Sequence, residues 1–319
     1  MNFILGFSLS LILIMMIMPK FIILLKNRNI NQVASEYALD EYKNKDKTPI
    51  MGGLLFVVIP VIVYLCLNIK SLNDPELLFI ILSFVLYCLV GFIDDMLVIV
   101  KNNNAGLSPK TRIIMEIVIT TSLYFLFKDT LICEITIPFI NGGIYIHPII
   151  FVIFMNLLYM AEANAVNFTD GMDGLCAGVS FIGLIPFLVF SLIYKDYHIA
   201  SLICCVLGGL IAYLYFNHHP AKIFMGDSGS LALGALFASL ALVLDKTIAL
   251  FIIGGVFVLE MFCVVTQQLS VRLFHKRVFS YTPIHYAFVL KGHKETKIVL
   301  NFYLLELILA ILGFIIGLH

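Results

Sequence analysis

Five aspartates carry most of the chemistry this sequence could do, and they fall in three short polar cassettes. Asp94 and Asp95 stand side by side in GFIDD, Asp170 and Asp173 lie three apart in NAVNFTDGMDG, and Asp227 sits in KIFMGDSGS. Adjacent like charges repel unless a cation or a proton offsets them. Magnesium prefers such oxygen ligands, keeps several waters, and commonly binds one or two carboxylates together with a substrate phosphate. The chemistry this donor set suits is metal-assisted phosphoryl transfer. Any one of these aspartates taken singly reads as a helix cap or a solvated helix end. It is their grouping that argues for a site.

Glycines flank two of the cassettes: Gly171 and Gly174 bracket Asp173, and Gly226 and Gly229 bracket Asp227. Glycine permits turns with positive φ and close approach of a ligand to the backbone, although packing between helices is the plainer use. Ser228, Gly229 and Ser230 open an apolar run, where unpaired helix amides favour an anion. Neither segment matches a Walker nucleotide loop. The last basic stretch, 271–297, holds His275, His285 and His293. His285 lies beside Pro283 and apolar neighbours, so it alone of the three is expected in an ordered segment. The basic face as a whole also suits anionic lipid head groups.

The elements that must position these residues follow from composition. Hydrophobic residues make up 61% of the 319 positions and charged residues 13%, against about 25% charged in soluble domains. A membrane helix needs about 20 apolar residues. About ten such runs recur, over roughly 3–25, 50–69, 76–93, 112–127, 148–163, 175–194, 199–216, 229–244, 247–269 and 299–318. Unbroken runs of this length exclude barrel strands and predict an all-α polytopic membrane protein. The first run lacks a basic start and a small-residue cleavage site, so it reads as a span and not a signal peptide. Residues 130–147, around Asn141-Gly142-Gly143, predict a small extracytoplasmic β-hairpin. No long linker divides the chain, which reads as one membrane domain over 1–319.

Charge placement orients it. With the amino terminus outside, the loops after spans 1, 3, 7 and 9 carry 16 of the 20 Lys and Arg residues. Only Lys70, Lys128, Lys195 and Lys246 fall on the other side, a strong positive-inside bias. All five aspartates then face the cytoplasm. Net charge is zero, and no nucleic-acid partner is expected. The seven cysteines show no metal-ligand spacing and read as apolar filler.

Six motifs occur in order: KTPIMGG (47–53), GFIDD (91–95), NNNAGLSPKTR (102–112), NAVNFTDGMDGL (164–175), NHHPAKIFMGDSGSLALG (217–234) and KRVFSYTPIH (276–285). Together they resemble the phospho-N-acetylmuramoyl-pentapeptide transferases of bacterial peptidoglycan synthesis, within the wider polyprenyl-phosphate N-acetylhexosamine-1-phosphate transferases. The resemblance covers essentially the whole chain. It implies ten transmembrane helices in the bacterial inner (plasma) membrane, an active site in a cytoplasmic cleft, a magnesium cofactor and a homodimer. The reaction it implies joins UDP-N-acetylmuramoyl-pentapeptide to undecaprenyl phosphate, giving lipid I and UMP.

By the same resemblance, Asp227 contacts magnesium. Of the pair Asp94 and Asp95, one deprotonates the lipid phosphate or helps hold the metal. Asn164, Asp170, Gly171 and Asp173 belong to the nucleotide-side cassette, Phe224 stacks on uracil, and His285 is the first histidine of a carboxy-terminal motif. Lys45, Lys110 and Lys101 match basic positions near the phosphates. The chain departs from the family at Tyr286, Ala287 and Val289, where two further histidines and a glutamate are typical. N-acetylglucosamine-specific relatives usually carry a His-x-His-His pattern without the Lys-Thr-Pro entry, so the muramoyl branch fits better. A secondary transporter is the rival from another class. Transporters place coupling residues near mid-membrane, whereas these acids gather at span ends.

Overall fold

The computed structural model describes residues 3–28, 30–31, 48–69, 73–101, 106–140 and 142–319. Lys45 lies outside the described residues. Twelve described helices run α1 (Phe3–Asn27), α2 (Gly53–Leu67), α3 (Pro75–Lys101), α4 (Pro109–Phe127), α5 (Pro148–Thr169), α6 (Leu175–Ile193), α7 (Tyr197–Asn217), α8 (Asp227–Val243), α9 (Thr247–Ile253), α10 (Gly255–Phe274), α11 (Ile284–Leu290) and α12 (Glu295–Gly317). Between α4 and α5, β1 (Glu134–Thr136) pairs antiparallel with β2 (Gly143–Tyr145), Glu134 opposite Tyr145. The hairpin expected around Gly142 is therefore present, and Gly142 takes φ +83° in its turn.

Seven helices (α1, α3, α5, α6, α7, α10 and α12) are long and apolar enough to cross a membrane. Two more, α2 and α8, are apolar but shorter, at 15 and 17 residues. The 19-residue α4 carries Lys110, Arg112 and Glu116 in its first turns, which lowers its apolar content. The chain is a polytopic, mostly helical membrane protein.

One expected span is broken. The run 247–269 divides at Gly254 into α9 and α10, because the Gly254-Gly255 pair offers little resistance to a kink. A helix start inside a bundle leaves amides without partners. Here the wholly buried Glu306 of α12 accepts the Val256 amide at 3.2 Å. The short α11, in the last basic stretch, lies outside the ten apolar runs.

The best-enclosed helix is α8. Every residue from Ser228 to Ala241 is buried, as expected of a helix that is apolar all round. Its serines, glycines and alanines let neighbouring backbones come close. Gly91 of α3 rests on the Asp227–Ser228 backbone, and Gly53 of α2 rests on Gly229, so tightly that a Cβ at either would overlap it. The amino-terminal end of α8, with Asp227 as its first residue, is thus fixed by α2, α3 and α5.

Candidate active site

The start of α8 has no side-chain cap of its own, since its N-cap residue is Gly226 at φ +76°. Asp95 of α3 supplies the cap from across the bundle. Only 3% exposed, it accepts the Asp227 amide on Oδ1 at 3.0 Å and the Ser228 amide on Oδ2 at 3.1 Å. Two of the four orphan donors of the helix are satisfied in this way. A Cβ at position 226 would stand 2.6 Å from Asp95 Oδ2. Glycine is required there both for its φ and for that approach.

The Asp227 carboxylate is held from two sides. Asn167 Nδ2 donates to Oδ1 at 2.7 Å and also reaches Ser230 Oγ at 2.9 Å. Arg112 Nη1 donates to Oδ2 at 3.0 Å, while its Nη2 donates to Asn164 Oδ1 at 2.8 Å. Asn164 is itself anchored by donation to the Met160 carbonyl at 2.7 Å. One guanidinium fork from α4 therefore ties α5 to α8. Next to Asp227 lies the Asp94 carboxylate, close enough to interact with it directly. Asp94 also accepts the Leu107 amide, and it packs on Gly106, where a Cβ would come within 2.6 Å of its Oδ1.

The cassette after α5 wraps this centre. The Asp170 carboxyl accepts the Gly226 amide. Burial, then the nearby Asp227 and Asp173 carboxylates, push it from 3.8 up to about 7 against that hydrogen bond. Asp173 is buried differently: its Oδ2 lies 3.0 Å from His219 Nδ1 and accepts the Ala221 amide at 3.1 Å. The Asp173 amide donates to Glu295 Oε1 at 2.8 Å, and His219 Nδ1 stands 3.6 Å from Glu295 Oε2. Asp173 thus fastens the cassette to the 219–221 turn and to the start of α12. Gly174, at φ +80°, donates to Asn217 Oδ1 at 3.0 Å and accepts the Tyr303 hydroxyl at 2.6 Å.

The entry motif lies along the approach to α8. Phe224 donates its amide to the Pro49 carbonyl at 2.8 Å and accepts from Gly52 at 2.8 Å, while Gly53 donates to Met225 at 2.9 Å. Phe224 is half-buried. On the far side of the cassette, His285 is wholly buried, whereas His275 and His293 are exposed. Its Nδ1 lies 2.9 Å from Glu260 Oε1, and the Tyr286 hydroxyl donates to the Gly171 carbonyl at 2.8 Å. Lys110 is exposed on the first turn of α4, and Lys101 donates to the Gly106 carbonyl at 3.0 Å.

The structure therefore gathers Asp94, Asp95, Asp227, Asn164 and Asp170 around one helix start, with Gly171 and His285 meeting behind the cassette. The facing Asp94 and Asp227 carboxylates, drawn from different helices, form a donor set that fits a hard divalent cation. Arg112 and Asn167 are the residues that sequence reading left out of this centre. Both lie inside motifs already singled out, Arg112 as the last residue of NNNAGLSPKTR and Asn167 within NAVNFTDGMDGL. Glu260 escaped notice inside an apolar run, although a carboxylate within a span is itself a signal.

Residues 77–245 match the family model described as Glycosyl transferase family 4. A Campylobacter jejuni (strain 81-176) phospho-N-acetylmuramoyl-pentapeptide-transferase is 37% identical to the chain over 327 residues, covering 97% of it and 92% of that protein. The Staphylococcus epidermidis protein of the same name is 34% identical over 316 residues, 98% of both chains, and that of Staphylococcus saprophyticus is 35% identical over 313 residues, 97% of both. With the family model spanning α3 to α8 and these relatives matching end to end, the chain belongs to the phospho-N-acetylmuramoyl-pentapeptide transferases of glycosyl transferase family 4.

Proposed function

We propose that the protein transfers phospho-N-acetylmuramoyl-pentapeptide from its UDP donor to undecaprenyl phosphate, giving lipid I and UMP at the cytoplasmic face of the bacterial inner membrane. The observation that carries the reading is the facing pair of Asp94 and Asp227 at the start of the best-enclosed helix. The full-length similarity to relatives of that name supports it.

Asp227 and Asp94 would hold a magnesium ion, which when bound would supply neutralisation of negative charge on the diphosphate. The chain does the positioning. Asn167 and Arg112 fix the two oxygens of Asp227, so its carboxylate is aimed before substrate arrives. Asp95, with both oxygens on α8 amides, sets the helix start and leaves Asp94 as the partner facing the reacting groups. Phe224, half-buried just before α8, is the residue the family resemblance assigns to uracil, and the 170–174 loop orients the diphosphate end. Arg112 also places positive charge where the phosphates must lie. A lipid phosphate is largely ionised at neutral pH, so alignment and charge screening contribute more to its attack on the β-phosphorus than proton removal does. The bias of basic residues toward one side supports a centre on the cytoplasmic face, and the family resemblance supports a homodimer as the working unit.

The test is UMP release by purified protein offered UDP-N-acetylmuramoyl-pentapeptide or UDP-N-acetylglucosamine, each with undecaprenyl phosphate. Release from the muramoyl donor alone is expected. Release from the N-acetylglucosamine donor alone would move the chain to the neighbouring branch. A size measurement by light scattering in detergent checks the dimer, and a monomer that is fully active would remove it.

A further inference from the structure

Two carboxyl groups lie inside the helix bundle, apart from the aspartate centre. Glu306 sits at the middle of α12, and Glu162 lies on α5 two turns before its end. They are 0% and 2% exposed. A carboxylate at such depth is costly unless it is paired or used. Glu306 is half accounted for, since its Oε2 accepts the Val256 amide at 3.2 Å where α10 starts. Its Oε1 has no hydrogen-bond partner among the described residues, and neither has Glu162 Oε2. The two carboxyls are close enough to interact electrostatically, and no basic side chain among the described residues offsets either. The helix α6 closes the same space. Glu306 Oε1 faces Gly183, where a Cβ would stand 3.0 Å from it. Cys176 Sγ reaches the Val166 carbonyl at 3.6 Å. One turn beyond that contact on each helix, Ser180 of α6 comes level with Glu162 of α5. The Ser180 hydroxyl is wholly buried and also has no hydrogen-bond partner among the described residues. Beside it lies the Cys176 thiol, a weak donor.

Three buried oxygens, on α5, α6 and α12, therefore face one interior region without partners, and native structures tolerate few such atoms. Protonation would remove the charge of a carboxylate but leave its new hydroxyl as unpaired as the oxygen had been. A water would partner the oxygens but leave the charge uncompensated. A small cation does both. In membrane proteins such ions are bound where a helix is interrupted, and Glu306 stands at the break between α9 and α10. We infer that Glu162, Ser180 and Glu306 bind a small monovalent cation of the sodium class inside the bundle. Magnesium fits less well, because it demands near-octahedral geometry and one of these few oxygens is already spent on a backbone amide. The ion offsets one carboxylate, and the amino-terminal end of α10 favours the charge of the other. It joins α5 and α6 to α12 at the level where α10 begins. This site is independent of the identity of the transferred group.

The experiment is equilibrium binding of radioactive sodium to the purified full-length protein. The thermal midpoint in sodium chloride, against choline chloride of equal ionic strength, is the second readout. Saturable binding of about one ion per chain is expected, with a midpoint that rises with sodium and not with choline. Glu162→Gln and Glu306→Gln should each weaken binding at least tenfold and abolish the sodium-dependent rise. The second variant still offers an oxygen to the Val256 amide, so the cap on α10 survives. Ser180→Ala, which alters no charge, should weaken binding by about threefold, and it keeps the test decisive if a glutamine variant fails to fold. Absence of saturable binding, or one midpoint in both salts, would overturn the inference. So would sodium binding that is unaltered in all three variants. A protonated-carboxyl infrared band that the glutamine variants remove, without sodium binding, would assign the region to protons and overturn it too.

Discussion

Asp94 and Asp95 are neighbours in sequence and opposites in structure. Asp95 is buried with each oxygen on a backbone amide of α8. Asp94, half-buried, accepts one amide from Leu107 and faces another carboxylate, that of Asp227. A carboxylate whose lone pairs meet amides is already compensated, whereas one that meets a like charge still needs a cation or a proton. The pair in the 170–174 cassette repeats the contrast. Asp173 is spent on His219 and the Ala221 amide, while Asp170 shares its surroundings with Asp227. Burial by itself does not separate structural from functional acids. What each oxygen faces does.

Breaking the comparison at its centre should have the largest effect. Asp227→Asn removes the charge that both Asn167 and Arg112 orient, and transfer should fall by about 10³-fold, the scale of losing a preorganised electrostatic group. Unchanged elution and thermal midpoint would show that the fold survived. Asp94→Asn should cost about 10²-fold in rate with little loss of stability. Asp95→Asn should lower the thermal midpoint by the equivalent of about 1–3 kcal/mol, because one α8 amide loses its buried acceptor. The assignment of the two aspartates fails if those effects are exchanged.

Arg112→Lys probes the fork that joins Asn164 to Asp227. An ammonium keeps the charge but cannot serve both acceptors in a fixed plane. About a tenfold fall in turnover is expected, and wild-type turnover would mean that charge alone suffices. Tyr286→Phe removes the hydroxyl on the Gly171 carbonyl and should raise KM for the UDP donor by only about threefold, near the net worth of one hydrogen bond. A further effect concerns pH. The Asp170 carboxyl is raised from 3.8 to about 7 in the fold, so the folded state binds its proton more tightly than the unfolded chain. That contribution to stability is full below about pH 4 and is lost as pH rises through about 7. Metal-free protein should therefore show a thermal midpoint that declines between pH 5 and 8, and Asp170→Asn should flatten the decline.

Much of the membrane architecture was legible because the apolar runs are long and the charges sit at their ends. The break at Gly254 was not, since a run of uniform hydropathy conceals a kink whose carboxylate partner, Glu306, lies more than fifty residues downstream. The candidate site was legible as a set of aspartates, but the different surroundings of each were not. Nothing in GFIDD says which acid turns toward the α8 amides, because helical rotation and the docking of Gly91 against Asp227 decide it. Arg112 was visible as a charge favouring the cytoplasmic side, while its role as a fork between two helices exists only in three dimensions. His285 stood out among three histidines by its apolar neighbours. Its partner Glu260 did not, since the two are 25 residues apart and joined through the turn that precedes α11.

The proposed divalent-cation centre of the transfer reaction is the pair Asp94 and Asp227. It is tested most directly by titrating magnesium against UMP release from UDP-N-acetylmuramoyl-pentapeptide, using chelator-treated wild-type, Asp94→Asn and Asp227→Asn proteins. No release is expected without the ion, with full recovery on its return to the wild type, a requirement shifted at least tenfold upward in Asp94→Asn, and no recovery in Asp227→Asn. Release that persists under chelation, or one magnesium requirement shared by all three proteins, would contradict it.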